Sequence, residues 1–594
     1  MKIVRSALFP VSLVAISIAI ASPVNAQQAQ DNSASRNAQD DDFHTDKEIV
    51  VTAPYVERLD ILSGTSALSG ENLAAEAQGQ IGDILTSLPG VSATSFSPGA
   101  SRPVLRGFQG NRVAVLTDGI GNIDASNTSA DHAVTIDALT TERIEVLRGP
   151  AVLLFGGQAV GGAVNVIDKR IPRSVPTEAV HIDALLGYST ASKEYSGGAS
   201  VDVPVGDRFV AHIDGSYRNS KNLDIGGFLL APSLRAEAAN FAADEQALGN
   251  TISAANAREW AGYRGRLPNS GVETWTFGAG GAFIDDGGSL GASFNIYDTK
   301  YGIPERPDFA EPVGGEVTID LRQYRFDLRG EVELGDGLFD KMRLRVGYAN
   351  YTHVELEGAD VGTTFFSKAI ESRFELTQNE RRGWRGASGL QYQTRDFEAV
   401  GDEAFVPPTR SNQIGLFTLQ EFSIGDLDTE VALRFDHARS EAQTLGLERS
   451  FNNFSAALGV GYNIGDLKIG ANISRTGRAP SIEELYSNGP HVATQSFEVG
   501  DPDLRSERSW NGELYARYDS TRFDFSTTLY ANRFGGFIYE SATGAIVDDL
   551  PEFVYLQRKA RVWGIEAEAS AQLAHLGGFD IAVDGVADYT RASI

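Results

Sequence analysis

Glu142-Arg143-Ile144-Glu145-Val146-Leu147-Arg148-Gly149-Pro150, continued by Ala151-Val152-Leu153-Leu154-Phe155-Gly156-Gly157-Gln158-Ala159-Val160-Gly161-Gly162-Ala163-Val164-Asn165-Val166-Ile167, decides how this chain is read. Ile144, Val146 and Arg148 alternate with Glu145 and Leu147, the period of a half-buried strand, and Gly149-Pro150 stops it. A short apolar turn and two glycine pairs lead into a second strand over Val164-Asn165-Val166-Ile167. Glycine pairs beside strands mark sharp bends or close backbone approach. A phosphate cradle would need a Gly-Lys-Ser/Thr ending or a Gly-x-Gly-x-x-Gly opening a long helix, and neither occurs here. The segment reads as a packed structural turn between two strands.

Working outward, the N-terminus carries Lys2 and Arg5, then an apolar stretch from 7 to 21, then Val24-Asn25-Ala26. This is a secretory signal over 1–26, too short to span a membrane comfortably. Residues 27–47 are polar, with Asp40-Asp41-Asp42, and read as a disordered tether. Glu48-Ile49-Val50-Val51-Thr52-Ala53 follows, β-forming residues on a flexible tail. They suit either a first domain strand or a segment that adds to a partner's sheet edge through main-chain hydrogen bonds. Further on, Ile81-Gly82-Asp83-Ile84-Leu85 predicts a short helix, ended by Leu88-Pro89-Gly90-Val91. Pro103-Val104-Leu105-Arg106-Gly107-Phe108 precedes Arg112-Val113-Ala114-Val115-Leu116-Thr117-Asp118-Gly119-Ile120, a strand entering an Asp-Gly turn.

From about residue 179 a two-residue period takes over. Val431, Leu433 and Phe435 oppose Glu430, Ala432, Arg434 and Asp436. Phe523, Phe525 and Leu529 oppose Asp524, Ser526 and Thr528, and Ile565, Ala567, Ala569 and Ala571 oppose Glu566, Glu568, Ser570 and Gln572. One apolar and one polar face fit a strand between lipid and a polar lumen. Ile424-Gly425-Asp426-Leu427 and Ile464-Gly465-Asp466-Leu467 read as tight turns on one side. The stretches 222–267, 297–317 and 474–508 read as long loops on the other. The hydrophobic content of 42% rules out a bundle of membrane helices but not such a barrel. The formal charge of −28 argues against nucleic acid and favours cations or basic partners. With no cysteine there are no disulfides or thiolate sites, so a metal would be held by histidine and carboxylate.

Taken together, the Ile-Glu-Val-Leu-Arg-Gly-Pro, Gly-Gly-Ala-Val-Asn-Val-Ile, Leu-Arg-Gly-Phe and Val-Leu-x-Asp-Gly segments resemble the plug of TonB-dependent outer-membrane receptors. The resemblance extends over essentially the whole mature chain. It implies a mostly β fold: an N-terminal α+β plug (54–172) inside a transmembrane antiparallel β-barrel (173–594). It also implies a Gram-negative outer-membrane location and active uptake of a scarce nutrient. Residues 48–53 then resemble a TonB box, and the partners are TonB with its ExbB–ExbD energising complex, and outer-membrane lipid. The family closes with twenty-two strands, whereas about seventeen are counted here. The chain ends at Tyr589-Thr590-Arg591-Ala592-Ser593-Ile594 in mid-strand, so the expectation is an open barrel lacking its last strands.

Two stretches bear on cargo. Ser129-Ala130-Asp131-His132-Ala133-Val134 lies in the plug. Arg478-Ala479-Pro480-Ser481-Ile482-Glu483-Glu484-Leu485-Tyr486-Ser487-Asn488-Gly489-Pro490-His491-Val492-Ala493-Thr494 lies in a long loop. The Asp-His pair and the Gly-Pro-His-Val-Ala-Thr insert resemble the zinc-uptake branch. That resemblance nominates Asp131, His132 and His491 as metal ligands, with Glu355 or Glu357, near His353, supplying a barrel carboxylate. Zinc is then cargo and not a resident cofactor. Adjacent residues such as Asp131 and His132 reach one ion only in a loop, because neighbours on a strand diverge. The His-rich loop common in that branch is missing: residues 301–312 contain no histidine. A ferric-siderophore receptor using Tyr486, Arg410 and Trp384 is the alternative, and a passive porin or adhesin is the alternative of another class. No nucleophile–base spacing points to an enzyme.

Overall fold

The computed structural model describes residues 65–594 apart from 78, 305, 315–316, 402–403, 521 and 577–578. The signal and the Glu48–Ala53 segment lie outside the described residues. Ser66–Ser69, Thr141–Leu147, Gly162–Asp168, Val113–Thr117 and Ile120–Gly121 form a five-stranded mixed sheet. Thr141–Leu147 and Gly162–Asp168 pair antiparallel, with Val146 opposite Val164. The intervening apolar turn is a 3-10 helix, Pro150–Leu154, buried along its whole length. The predicted short helix spans Ile81–Ile84 and tightens into 3-10 geometry before Pro89-Gly90.

Around this domain a nineteen-strand sheet is closed as a barrel. Two of its members, Asn488–His491 and Ser496–Val499, belong to a loop hairpin, leaving seventeen strands in the wall from His181–Ser189 to Phe579–Ser593. The last wall strand, Phe579–Ser593, lies beside the first, His181–Ser189, so the open edge expected from the strand count is not what the sheet forms. The alternation behaves as a membrane wall requires: Leu433 and Phe435 are 39% and 42% exposed on the outer face, while Glu430, Arg434 and Asp436 are buried against the interior. Gly425 and Gly465 take positive φ in the two predicted tight turns.

The long loops depart from expectation. Within 222–267 a pair of helices forms, Pro232–Leu248 and Thr251–Gly262, with proline in the first turn and Gly249 in the left-handed C-cap position. The wall strand Gly288–Gly302 extends into the stretch read as a loop from 297. No helix among the described residues is long and apolar enough to cross a membrane.

The plug meets the wall through apolar clusters, such as Leu147, Leu154 and Phe155 with Phe417, Leu419 and Ala432, and through paired charges. Arg106 at the plug surface donates from Nε and Nη2 to the two carboxylate oxygens of Glu566 (3.0 and 2.8 Å) and from Nη1 to Glu513. All three residues are at most 5% exposed. Gly90 is needed beside them: its φ is +67°, and a Cβ there would fall on the Glu566 carboxylate. Removing one partner of a buried ion group strands the others at a cost of about 3–5 kcal/mol. Arg106→Ala should therefore release the plug at distinctly lower urea, with the barrel intact, as read by limited proteolysis of the plug; an unshifted profile would deny this network its anchoring role.

Candidate metal centre

Asp131 and His132 lie on an irregular plug segment following Ile120–Gly121. Asp124 shapes it: one carboxylate oxygen accepts from the Ser126 N–H (3.0 Å) and hydroxyl (2.7 Å), the other from the Thr135 N–H (3.1 Å). Such local side-chain bonds favour a turn over a strand. Tyr301, from the wall, clamps the peptides around His132. Its hydroxyl donates to the Asp131 carbonyl (2.8 Å) and accepts from the Ala133 N–H (2.9 Å). The turn thereby brings two adjacent side chains to one point, the arrangement a strand forbids.

Glu355 comes from the wall strand Phe339–Glu357, where Tyr351, His353 and Glu355 share the inward face. His491 comes from the loop hairpin, whose second strand pairs in parallel with Glu552, Phe553 and Val554 of the wall. The loop's base is fixed by Arg478, which donates to both Glu484 oxygens (2.8 and 2.9 Å) and to Glu507 (3.3 Å). Ser481 and Glu484 close a capping box on the short helix Ile482–Tyr486.

One ligand atom from each of Asp131, His132, Glu355 and His491 lies within 4.8 Å of all the others. His132 Nε2 is 3.2 Å from Glu355 Oε1 and 3.6 Å from Asp131 Oδ2; His491 Nε2 is 3.6 Å from Asp131 Oδ1. Asp131, His132 and His491 are fully buried, and Glu355 is 3% exposed. The Phe405 ring stacks on His491 (4.6 Å between centroids) and Phe365 meets His132 edge-on. Asp131 Oδ2 and His491 Nε2, facing the cluster, have no hydrogen-bond partner.

The far nitrogens are fixed. His132 Nδ1–H donates to the Ala125 carbonyl (3.0 Å) and His491 Nδ1–H to Glu498 (3.3 Å), so Nε2 of each faces its neighbours. His353 is placed differently. Its Nδ1 meets the Tyr351 hydroxyl (2.9 Å) and its Nε2 meets Glu355 Oε1 (3.1 Å), so it holds the carboxylate and adds no free nitrogen. Glu357 shares the inward parity but stands exposed at the rim, opposite Asp360 in the terminal turn, outside the cluster. Glu498 and Phe405 escape a reading by motif. Glu498 is placed by the hairpin register and Phe405 by a separate loop before Thr409–Ile424, and no residue spacing announces either.

The alternative trio is not gathered. Tyr486 is buried and donates to the Ser440 carbonyl, and Arg410 is exposed and paired with Asp396. Trp384 begins its strand at the opposite, short-turn end, stacked on Phe422.

Burial works against charge on His132 and His491, yet the Asp131 carboxylate, with Glu355 beside His132 and Glu498 beside His491, lifts both above the ordinary imidazole value. Burial works against charge on Asp131 too, but the two imidazoles hold it below the usual carboxylate range. Histidines raised on folding stabilise fully below the unfolded value of about 6.5, and lose that contribution as pH climbs through the folded values. The metal-free protein should therefore melt at progressively lower temperature from pH 6 to 9. His132→Asn/His491→Asn should flatten that profile; an equal slope in both proteins would refute the assignment.

A family model described as "TonB-dependent Receptor Plug Domain" matches residues 57–163, and one described as "TonB dependent receptor-like, beta-barrel" matches residues 204–593. The chain is 23% identical over 486 residues to a vitamin B12 transporter, BtuB, of Photobacterium profundum, covering 81% of this chain and 69% of that protein. It is 23% identical over 566 residues to the rhizobactin receptor of Rhizobium meliloti, covering 86% and 74%. Among solved structures it is similar to the copper transporter OprC, with a TM-score of 0.71 at 15% identity, covering 89% and 80%.

Proposed function

This chain belongs to the TonB-dependent receptors, plug-in-barrel transporters of the Gram-negative outer membrane, and on that premise we propose that its cargo is a bare divalent transition-metal ion, zinc first. The carrying observation is the sealed set of Asp131, His132, Glu355 and His491, each with one atom turned to a common point. Two imidazole nitrogens and two carboxylate oxygens make a four-coordinate zinc set. Bringing Zn²⁺ there displaces the imidazole protons and neutralises carboxylates that otherwise sit buried. Soft donors that would favour Cu(I) are missing: the chain has no cysteine. Met342 stands thirteen residues before Glu355 on the same strand, roughly 40 Å away by strand rise.

Relatives are named for vitamin B12 and rhizobactin, cargoes that need an open pocket of about 300–1,000 Å³. The sealed cluster has no such volume, which favours a naked ion over a chelate. Receptors of this family transport across the outer membrane with TonB. In this chain residues 48–53 would be the strand that TonB captures, with energy reaching TonB through ExbB–ExbD. Asp131 and His132 belong to the plug, Glu355 to the wall and His491 to a loop. A plug displaced by that pull would carry off two of the four ligands, and the ion would lose its site as the path opens.

Calorimetry of the refolded receptor with zinc tests the site. Stoichiometric binding is expected, lost in His132→Ala/His491→Ala and weakened about 10–100-fold in Glu498→Gln, which loosens the carboxylate on His491. Affinity should fall as pH drops, because protons compete for the same nitrogens. A folded receptor that ignores zinc would sink this reading and bring the chelate receptor forward. In cells, deleting 48–53 should abolish energised zinc uptake; uptake that survives would point to a passive porin.

A further inference from the structure

Beside the sealed centre, on the other side of plug residues 122–127, lies a polar chamber of about 240 Å³ between plug and wall. Seven charged side chains line it, and their partners can be followed one by one. Arg434 is bound to Asp436 and Arg478 to Glu484 and Glu507. Arg439 pairs with Glu448. The Glu371 carboxylate accepts from Gln391, Gln393 and the Gly121 N–H. Asp124 is consumed by Ser126, Asn122 and Thr135.

Arg395 and Glu483 remain. Arg395 donates from Nε to the Ser367 hydroxyl (2.9 Å) and from Nη2 to the Asp124 carbonyl (3.0 Å), both neutral acceptors, and among the described residues it forms no ion pair. Phe397 lies against its guanidinium, holding it in place. Glu483 is only 4% exposed, and among the described residues its carboxylate forms no hydrogen bond or ion pair. The two do not pair with each other. Glu483 lines the cavity with its carboxylate unpaired, and a guanidinium with its second amino group free is a ready carboxylate site. A cation and an anion that line the same cavity without an ion pair between them, in a space smaller than a drug-sized pocket, suit a small zwitterion.

We propose that this chamber binds a free α-amino acid, its carboxylate on Arg395 and its ammonium on Glu483. The site rests on the receptor reading but not on the identity of the ion.

The test is calorimetry on the refolded full receptor, kept metal-free by a chelator, with L-histidine, glycine, histamine and 3-(imidazol-4-yl)propionate. L-histidine and glycine should bind; histamine, without the carboxylate, and the propionate, without the ammonium, should not. Arg395→Gln and Glu483→Gln should each weaken L-histidine about tenfold or more, as expected for a charged hydrogen bond lost. Their barrels are checked by heat-modifiable mobility on gels. Absence of binding by every α-amino acid, or binding indifferent to both substitutions, overturns the proposal. Zinc titration of the same proteins reports the sealed centre separately, so loss of either activity leaves the other reading standing on its own result.

Discussion

Asp131 and Glu355 are carboxylates shut away from water a few ångströms apart, and a low-dielectric interior tolerates that only if positive charge is brought to them. His132 and His491 bring it, from different parts of the chain. The geometry of three remote segments is set by that requirement. A plug turn must present two neighbouring side chains, a wall strand must end its inward row at the height of that turn, and a loop hairpin must fold down to deliver the second imidazole. The match is incomplete, because Asp131 Oδ2 and His491 Nε2 remain without partners. Protons can neutralise this cluster, but a divalent ion would satisfy those two atoms and the two neighbours together.

The same rule, applied less severely, joins plug to wall elsewhere. Arg106 with Glu513 and Glu566, and Arg170 with Asp214, are buried pairs across the interface. Between these pairs lie apolar contacts, such as Leu116, Leu147 and Phe155 against Phe417, Leu419 and Ala432. The plug is held by a mixture of apolar contact and discrete ionic ties, and the ties are the contacts that a single substitution undoes.

How much of this was legible in the sequence follows from which physical signal is local. Period-two alternation is local, and it placed Leu433 and Phe435 outside and Arg434 inside correctly. The glycine-bearing turns at 425 and 465 were equally plain. The helices at 232–262 were not, because they are alanine-rich with weak amphipathicity, and a run of small and polar residues reads as loop. Within the site, strand parity sets Glu355 and Glu357 on one face and cannot separate them. Height decides: two residues further on, the strand has risen past the plug and its side chain meets solvent. His353 shows the same gap. Composition marks it as a metal ligand, whereas its position between Tyr351 and Glu355 makes it the group that steadies one. Glu498 acts on His491 across a hairpin whose register no residue pattern announces.

Consecutive carbonyls of one plug segment tie the two cavities together. Asp124 accepts from Arg395 on the chamber side, and Ala125 accepts from His132 on the side of the sealed centre. A peptide backbone cannot shift one of these carbonyls far without turning the other, since only two soft dihedrals lie between them. Each site thus holds a nitrogen donor against the same short stretch of chain, Arg395 on the Asp124 carbonyl and His132 on that of Ala125, and the position of that stretch sets the geometry of both.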